Sequence, residues 1–134
     1  MHGKNRIGYK LSAKNTSILN AFNPATATAL PGDFHIASDT EINEVMGKAQ
    51  EAFLAYKYFS GEKKAAFLDA IADEIMALDN TLVLRAMVET ALPEARIIGE
   101  RGRTVNQLRL FAKLLREGSW VNAIIDTAEP DRTP

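Results

Sequence analysis

The stretch Ser38-Asp39-Thr40-Glu41, running on as INEVMGKAQEAFLAY to Tyr56, decides the fold class of this chain. Ser38 and Glu41 have the spacing of a capping box. The serine oxygen takes an orphan backbone N–H, and the glutamate three residues on reaches back to the cap. Ile42, Val45, Met46, Ala49, Ala52, Phe53 and Tyr56 then recur at helical spacing, with Glu44, Lys48 and Glu51 elsewhere on the wheel. A stripe about a third of the circumference wide predicts a helix lying on a core. Its regular spacing favours core packing over a ligand box of Met and aromatic side chains.

Downstream the pattern continues with short breaks. Ser60-Gly61-Glu62 starts a second helix, whose apolar positions are Phe67, Ile71, Ile75 and Leu78. Asp79 is placed to cap a third, with Leu82 to Val88 inside it. Pro93 stands where the first turn of a fourth helix accepts it, and Gly118 is positioned as the C-terminal cap. At about 100° per residue, Ile97, Ile98, Val105, Leu108, Phe111, Ala112 and Leu115 make one broad stripe on that helix. Leu110 and Leu114 fall opposite, on nearly the same line as Gly99 and Arg103. A helix apolar on two sides wants cover on both. Three other helices and a hairpin do not obviously supply it, which points to a partner or to further polypeptide.

Upstream, residues 1–38 are rich in Asn, Thr, Gly and Pro. Residues 17–22 read as extended, Asn23-Pro24 as a turn, Pro31-Gly32-Asp33 as a second turn, and Phe34-His35-Ile36 as a returning strand. The expectation is a small β-hairpin lying on the helices, since two strands alone are marginal. Lys4, Arg6, Lys10 and Lys14 precede the first acidic residue, Asp33. A basic, acid-poor start fits a targeting peptide, but it has no apolar core for a secretory signal and few arginines for a mitochondrial address. A solvated leader of a cytoplasmic protein is the expectation. The chain divides into residues 1–38 (leader and hairpin), 39–118 (helical segment) and 119–134 (C-terminal connector).

The 134 residues are 46% hydrophobic and 25% charged, with a net charge of -1, which excludes disorder as the overall state. The length fits one domain. No cysteine is present, so disulfides, Cys-ligated metals and a cysteine nucleophile are excluded for this chain. The charge balance gives no reason to expect nucleic acid as a partner, and no apolar run is long enough to span a membrane. There is no Gly-rich phosphate loop and no nucleophile elbow. His2 and His35 have no metal-ligand spacing, so His35 reads as a strand-surface residue. Glu89 and Glu94 read as solvated carboxylates.

The patch Gly99-Glu100-Arg101-Gly102-Arg103-Thr104 is the unusual one. Each glycine inside a helix costs about 1 kcal/mol relative to alanine, which a close approach of backbone or ligand usually offsets. Arg101 projects from the broad apolar stripe and Arg103 from the second face. An arginine on an apolar face needs a carboxylate or an anion. A structural ion pair with Glu89 or Glu94 and an anion contact are the two alternatives. The arginines lie about 200° apart around the helix, so at most one touches a given ligand.

These residues resemble a known family. "NAFNPAT" (Asn20 to Thr26), the capped helix with "AFLAYK" (Ala52 to Lys57) and "AAFLDAIADEIMAL" (Ala65 to Leu78) resemble the start of NAD(P)-dependent aldehyde dehydrogenases. "ETALPEARIIGERGRTVNQLRLFA" (Glu89 to Ala112) is the most specific stretch. With "REGSW" (Arg116 to Trp120), "PDRTP" (Pro130 to Pro134) and "GKNRIGYKLSA" (Gly3 to Ala13), it resembles the 2,5-dioxovalerate (α-ketoglutarate semialdehyde) dehydrogenase branch.

The resemblance covers nearly the whole chain but only the beginning of that family's polypeptide. It implies a mainly α segment with a small N-terminal β-hairpin, part of an α/β fold and lacking most of its Rossmann-like sheet. In the complete enzyme a cysteine thiolate would add to the aldehyde, hydride would pass to NAD or NADP, and a glutamate-activated water would hydrolyse the thioester. None of those groups falls in this chain, so no catalytic or cofactor-binding residue and no bound cofactor is expected here. The expected partners are the remaining polypeptide or homo-oligomer subunits.

The resemblance also implies that the fourth helix lines the substrate entrance, with Arg103, Arg101 and Gln107 as candidate residues. Arg103 aligns best, as the partner of the distal carboxylate of a semialdehyde. One departure stands out: after "NPAT" the family commonly has Gly where this chain has Ala27. A turn needing positive φ there would be strained by roughly 1 kcal/mol. Two non-enzymatic readings remain beside this one, a stand-alone helical interaction module and a small anion-binding domain.

Overall fold

The computed structural model describes residues 2–123. Two antiparallel strand pairs precede four helices, so the chain is mainly α with a small β part, as the sequence implied. The expected connector and the "PDRTP" motif lie outside the described residues from position 124 on; Ser119–Val121 form a short 3-10 turn.

The first pair, β1 (Asn5–Ile7) and β2 (Lys10–Ser12), corrects the reading of this segment as a solvated leader. Three-residue strands are too short for alternation to speak in the sequence. The turn residue Gly8 reaches φ +60, where glycine carries no Cβ penalty. Ile7 is buried against the next helix.

The second pair, β3 (Ile18–Asn23) and β4 (Thr28–His35), is the expected hairpin, closed by residues 24–27. Asn23 accepts the Ala25 N–H at 2.9 Å and starts the turn. Ala27 holds φ +54, so the chain keeps the left-handed turn without glycine. Pro31-Gly32-Asp33 is not a second turn but part of β4. There the register shifts opposite Asn20–Phe22, and an irregularity of this kind accommodates a residue without an N–H. The Asn20 amide closes it, donating to the Gly32 carbonyl at 3.1 Å and to the Asp33 carboxylate at 2.8 Å.

Helix α1 (Asp39–Tyr56) starts at the predicted capping box, with both halves formed. Its apolar stripe, however, lies on no core within the described residues. Met46 is 64% exposed and Phe53 53%, and the one buried residue of the helix is Glu41. The carboxylate of Glu41 is held by the Ser12 hydroxyl, by the Ser38 N–H and hydroxyl and by the Lys14 N–H. These donors pull its pKa from 4.5 to about 2.

Helices α2 (Gly61–Ala77) and α4 (Glu94–Glu117) form the main packing unit. Ala65 and Ala72 are buried on one, Val105 and Ala112 on the other, each pair seven residues apart. Small side chains at that spacing let two helices close together. The closest approach is at Gly61, where a Cβ would collide with the Leu115 carbonyl. Arg116 joins the same ends, 2.7 Å from Asp69 and 3.2 Å from Glu62, and those carboxylates raise its pKa. Arg109 pairs with Asp73 at 3.0 Å further along the seam.

Helix α3 (Asp79–Thr90) buries Val83 and lies between α4 and β3. Asp79 does not cap it. The side chain makes no cap bond, and the residue instead turns the chain from α2 into α3 at φ +41, a region that aspartate tolerates better than most residues. Pro93 is the N-cap of α4, one position ahead of the first turn, and Gly118 ends the helix at φ +82 as expected.

On α4 the buried stripe is narrower than the wheel implied: Ile97, Val105 and Ala112 are buried, while Ile98 and Phe111 are exposed. The second face stays bare at Leu110 and Leu114. Gly99 and Gly102 meet no close neighbour among the described residues, so of the two expected causes, backbone or ligand, no backbone described here makes a tight approach to them. No helix among the described residues is long and apolar enough to cross a membrane.

Candidate functional site

The two arginines of the GERGR patch part company as the wheel required. Arg101 turns inward from the stripe between Ile97 and Val105, and its side chain is 13% exposed. One Nη donates to the Asp79 carbonyl at 3.1 Å and stands 4.0 Å from the Asp79 carboxylate. A buried guanidinium without such a partner would carry a large desolvation penalty. Arg101 thus ties α4 to the α2–α3 reversal, and its partner is neither Glu89 nor Glu94. Glu89 is taken by Arg85 on the preceding turn.

Arg103 points the other way, with its side chain 72% exposed. It lines a groove of about 460 Å³ with Thr104, Gln107, Leu108 and Phe111. The spacing explains the set. Residues 103, 107 and 111 follow at i, i+4 and i+8, and 104 and 108 fill the adjacent row. Arg103 gives it a guanidinium and Gln107 a primary amide, and Leu108 and Phe111 give it apolar lining. Thr104 turns its hydroxyl back to the Glu100 carbonyl at 3.0 Å, which satisfies it within the helix. Beyond Leu108 and Phe111 the groove meets an all-apolar one of about 310 Å³, reaching Leu68, Leu115 and Trp120. The surface grades from cationic through amide to apolar, which suits a short chain bearing a carboxylate.

Sequence reasoning placed Arg103 and Gln107 here but assigned Leu108 and Phe111 to the core. The signal that they share the groove was their i+4 relation to Thr104 and Gln107. It also passed over Glu100, whose Oε1 lies 2.6 Å from Arg96 and 3.3 Å from Arg103.

His35 is half-buried, with Nδ1 3.2 Å from the Asn15 carbonyl. Among the described residues no group of three His, Asp or Glu side chains is placed to hold a metal. The two strand pairs among the described residues are antiparallel.

Comparison with known proteins matches residues 11–132 to the aldehyde dehydrogenase family. The chain is 44% identical over 133 residues to alpha-ketoglutaric semialdehyde dehydrogenase 2 of Azospirillum brasilense, covering 98% of this chain and 25% of that protein. It is 38% identical over 133 residues to the alpha-ketoglutaric semialdehyde dehydrogenase of Acinetobacter baylyi, covering 99% of this chain and 25% of that protein. The chain spans about a quarter of the length of these relatives.

Proposed function

The chain belongs to the aldehyde dehydrogenase family, and from that premise we propose that it forms one wall of the substrate entrance of a cytoplasmic semialdehyde dehydrogenase. The complete enzyme oxidises 2,5-dioxovalerate to 2-oxoglutarate with NAD or NADP. The chain itself supplies no catalytic residue and no cofactor site. What supports the substrate is the name shared by the two relatives. The observation that carries the entrance role is the placement of Arg103 and Gln107 over Leu108 and Phe111 on one open face of α4.

In this reading Arg103 takes the distal carboxylate of the substrate through its forked N–H donors. Gln107 adds a donor one turn along the helix. Leu108 and Phe111 exclude water from the aliphatic carbons and direct the aldehyde carbon inward. Arg101 takes no part in binding, since its guanidinium is committed to Asp79.

The bare face of α1 and the C-terminal part of the second face of α4, at Leu110 and Leu114, are covered by the remaining dehydrogenase polypeptide or by subunits of a homo-oligomer, while the Arg103 end of α4 stays open. Exposed apolar stripes of this extent are a liability in an isolated domain. Supplying the rest of the polypeptide to this chain should restore NAD(P)+-dependent oxidation of 2,5-dioxovalerate, followed by the appearance of reduced nicotinamide. No activity from a soluble, correctly assembled mixture would favour a non-enzymatic interaction module. Within the active enzyme, Arg103→Ala should lower kcat/KM for 2,5-dioxovalerate by about 10–100-fold, the worth of one charged hydrogen-bonding contact. A neutral aldehyde of the same length should be little affected. Equal losses for both aldehydes would remove Arg103 from the entrance.

A further inference from the structure

Resting on the entrance reading, we propose that Glu100 competes internally for the Arg103 guanidinium and thereby sets the affinity of the groove for anionic aldehydes. Arg96 is the cation that keeps Glu100 paired when Arg103 is taken. The three residues stand at i, i+4 and i+7 on one face of α4. A single oxygen, Glu100 Oε1, lies 2.6 Å from Arg96 Nη2 and 3.3 Å from Arg103 Nη2. The first is a close ion pair and the second a hydrogen bond at the outer edge of its range. Arg103 is the more distant of the two partners.

Exposure decides how firmly it is held. With side chains 72% and 39% exposed, the Arg103–Glu100 pair is screened and weak. A substrate carboxylate in the groove is able to engage both donors of the fork, which the single contact to Glu100 does not. Release of Arg103 leaves no stranded charge, because Glu100 remains on Arg96. Among the described residues the carboxylate pairs only within its own helix, so holding those residues together does not explain its position. The local balance is two guanidiniums against one carboxylate. Removing the carboxylate doubles the net positive charge at the groove mouth.

The test uses the complete dehydrogenase carrying these residues, with 2,5-dioxovalerate and pentanal as substrates. Glu100→Gln should lower KM for 2,5-dioxovalerate by about 2–5-fold, the range expected for an exposed pair. Arg96→Gln, which leaves Glu100 with Arg103 alone, should raise it by a similar factor. KM for pentanal reports whether either change acts through substrate charge, and it should not move with them. A rise in KM for 2,5-dioxovalerate with Glu100→Gln would overturn the proposal, because Glu100 would then be holding Arg103 in place for the substrate. If both variants leave KM unchanged while Arg103→Ala still discriminates against the anionic aldehyde, the competition is wrong and the entrance reading stands. If Arg103→Ala does not discriminate, the entrance reading itself fails.

Discussion

The Glu41 carboxylate accepts the backbone N–H of Lys14 at 3.3 Å, across 27 residues of chain. The same carboxylate completes the capping box of α1 through Ser38. One side chain therefore does local and long-range work. It satisfies the helix start and pins the segment leaving β2 against it. Its donors are all neutral hydroxyl or amide groups that favour the charged form.

That arrangement sets a pH dependence. The pKa of Glu41 is lowered in the fold from 4.5 to about 2. The contribution of the clamp is fully present above the unfolded value and is lost as pH falls from 4.5 towards 2. Protection of the Lys14 and Ser38 amides, taken relative to their intrinsic exchange rates at each pH, should fall over that interval. Glu41→Gln should lower the protection of both at neutral pH and flatten its acid dependence. Protection of Lys14 that is indifferent to this substitution would show that the strand pair is held by other contacts.

Ala27 at φ +54 should be a site where glycine stabilises. Left-handed backbone costs an L-residue about 1–2 kcal/mol. Glycine gives back about 0.4–1 kcal/mol through the greater entropy of its unfolded chain. The strain relief is larger, so Ala27→Gly should raise stability by about 0.5–1 kcal/mol, read as a shift of the urea midpoint. A lowered midpoint at unchanged slope would mean that the turn is not held in this conformation.

The helix glycines should separate by position. Gly61→Ala drives a Cβ into the Leu115 carbonyl, which cannot rotate away as a side chain tip would. It should cost about 1–3 kcal/mol by forcing α2 and α4 apart. Gly99→Ala and Gly102→Ala meet nothing close. Each should stabilise the isolated chain by about 1 kcal/mol through helix propensity alone. Thermal melts of the three variants test the ordering. A destabilising Gly102→Ala would reveal a close neighbour at that face.

The sequence by itself determined what local chemistry controls. Ser38 and Glu41 fixed the start of α1, since a capping box involves residues three apart and needs no tertiary partner. Asn23-Pro24 and Gly118 placed a turn and a helix end for the same reason. The wheel separated Arg101 from Arg103 because helix geometry is set by the backbone. Family membership was legible in the Glu89–Ala112 stretch, as the family match over residues 11–132 bears out. Only the tertiary structure decided the rest. Periodicity marks a face as apolar but does not say what covers it, so the α1 stripe read as core and is bare here. Asp79 has the composition of a cap, but the packing of α2 and α3 turns its backbone into a reversal and its carbonyl into the acceptor for Arg101. Pro31-Gly32 reads as a turn in one dimension and becomes an irregularity in β4 because Asn20, twelve residues earlier, is there to close it. The groove at Arg103 exists only because α4 leaves that face open, a property of how four helices meet rather than of any residue within them.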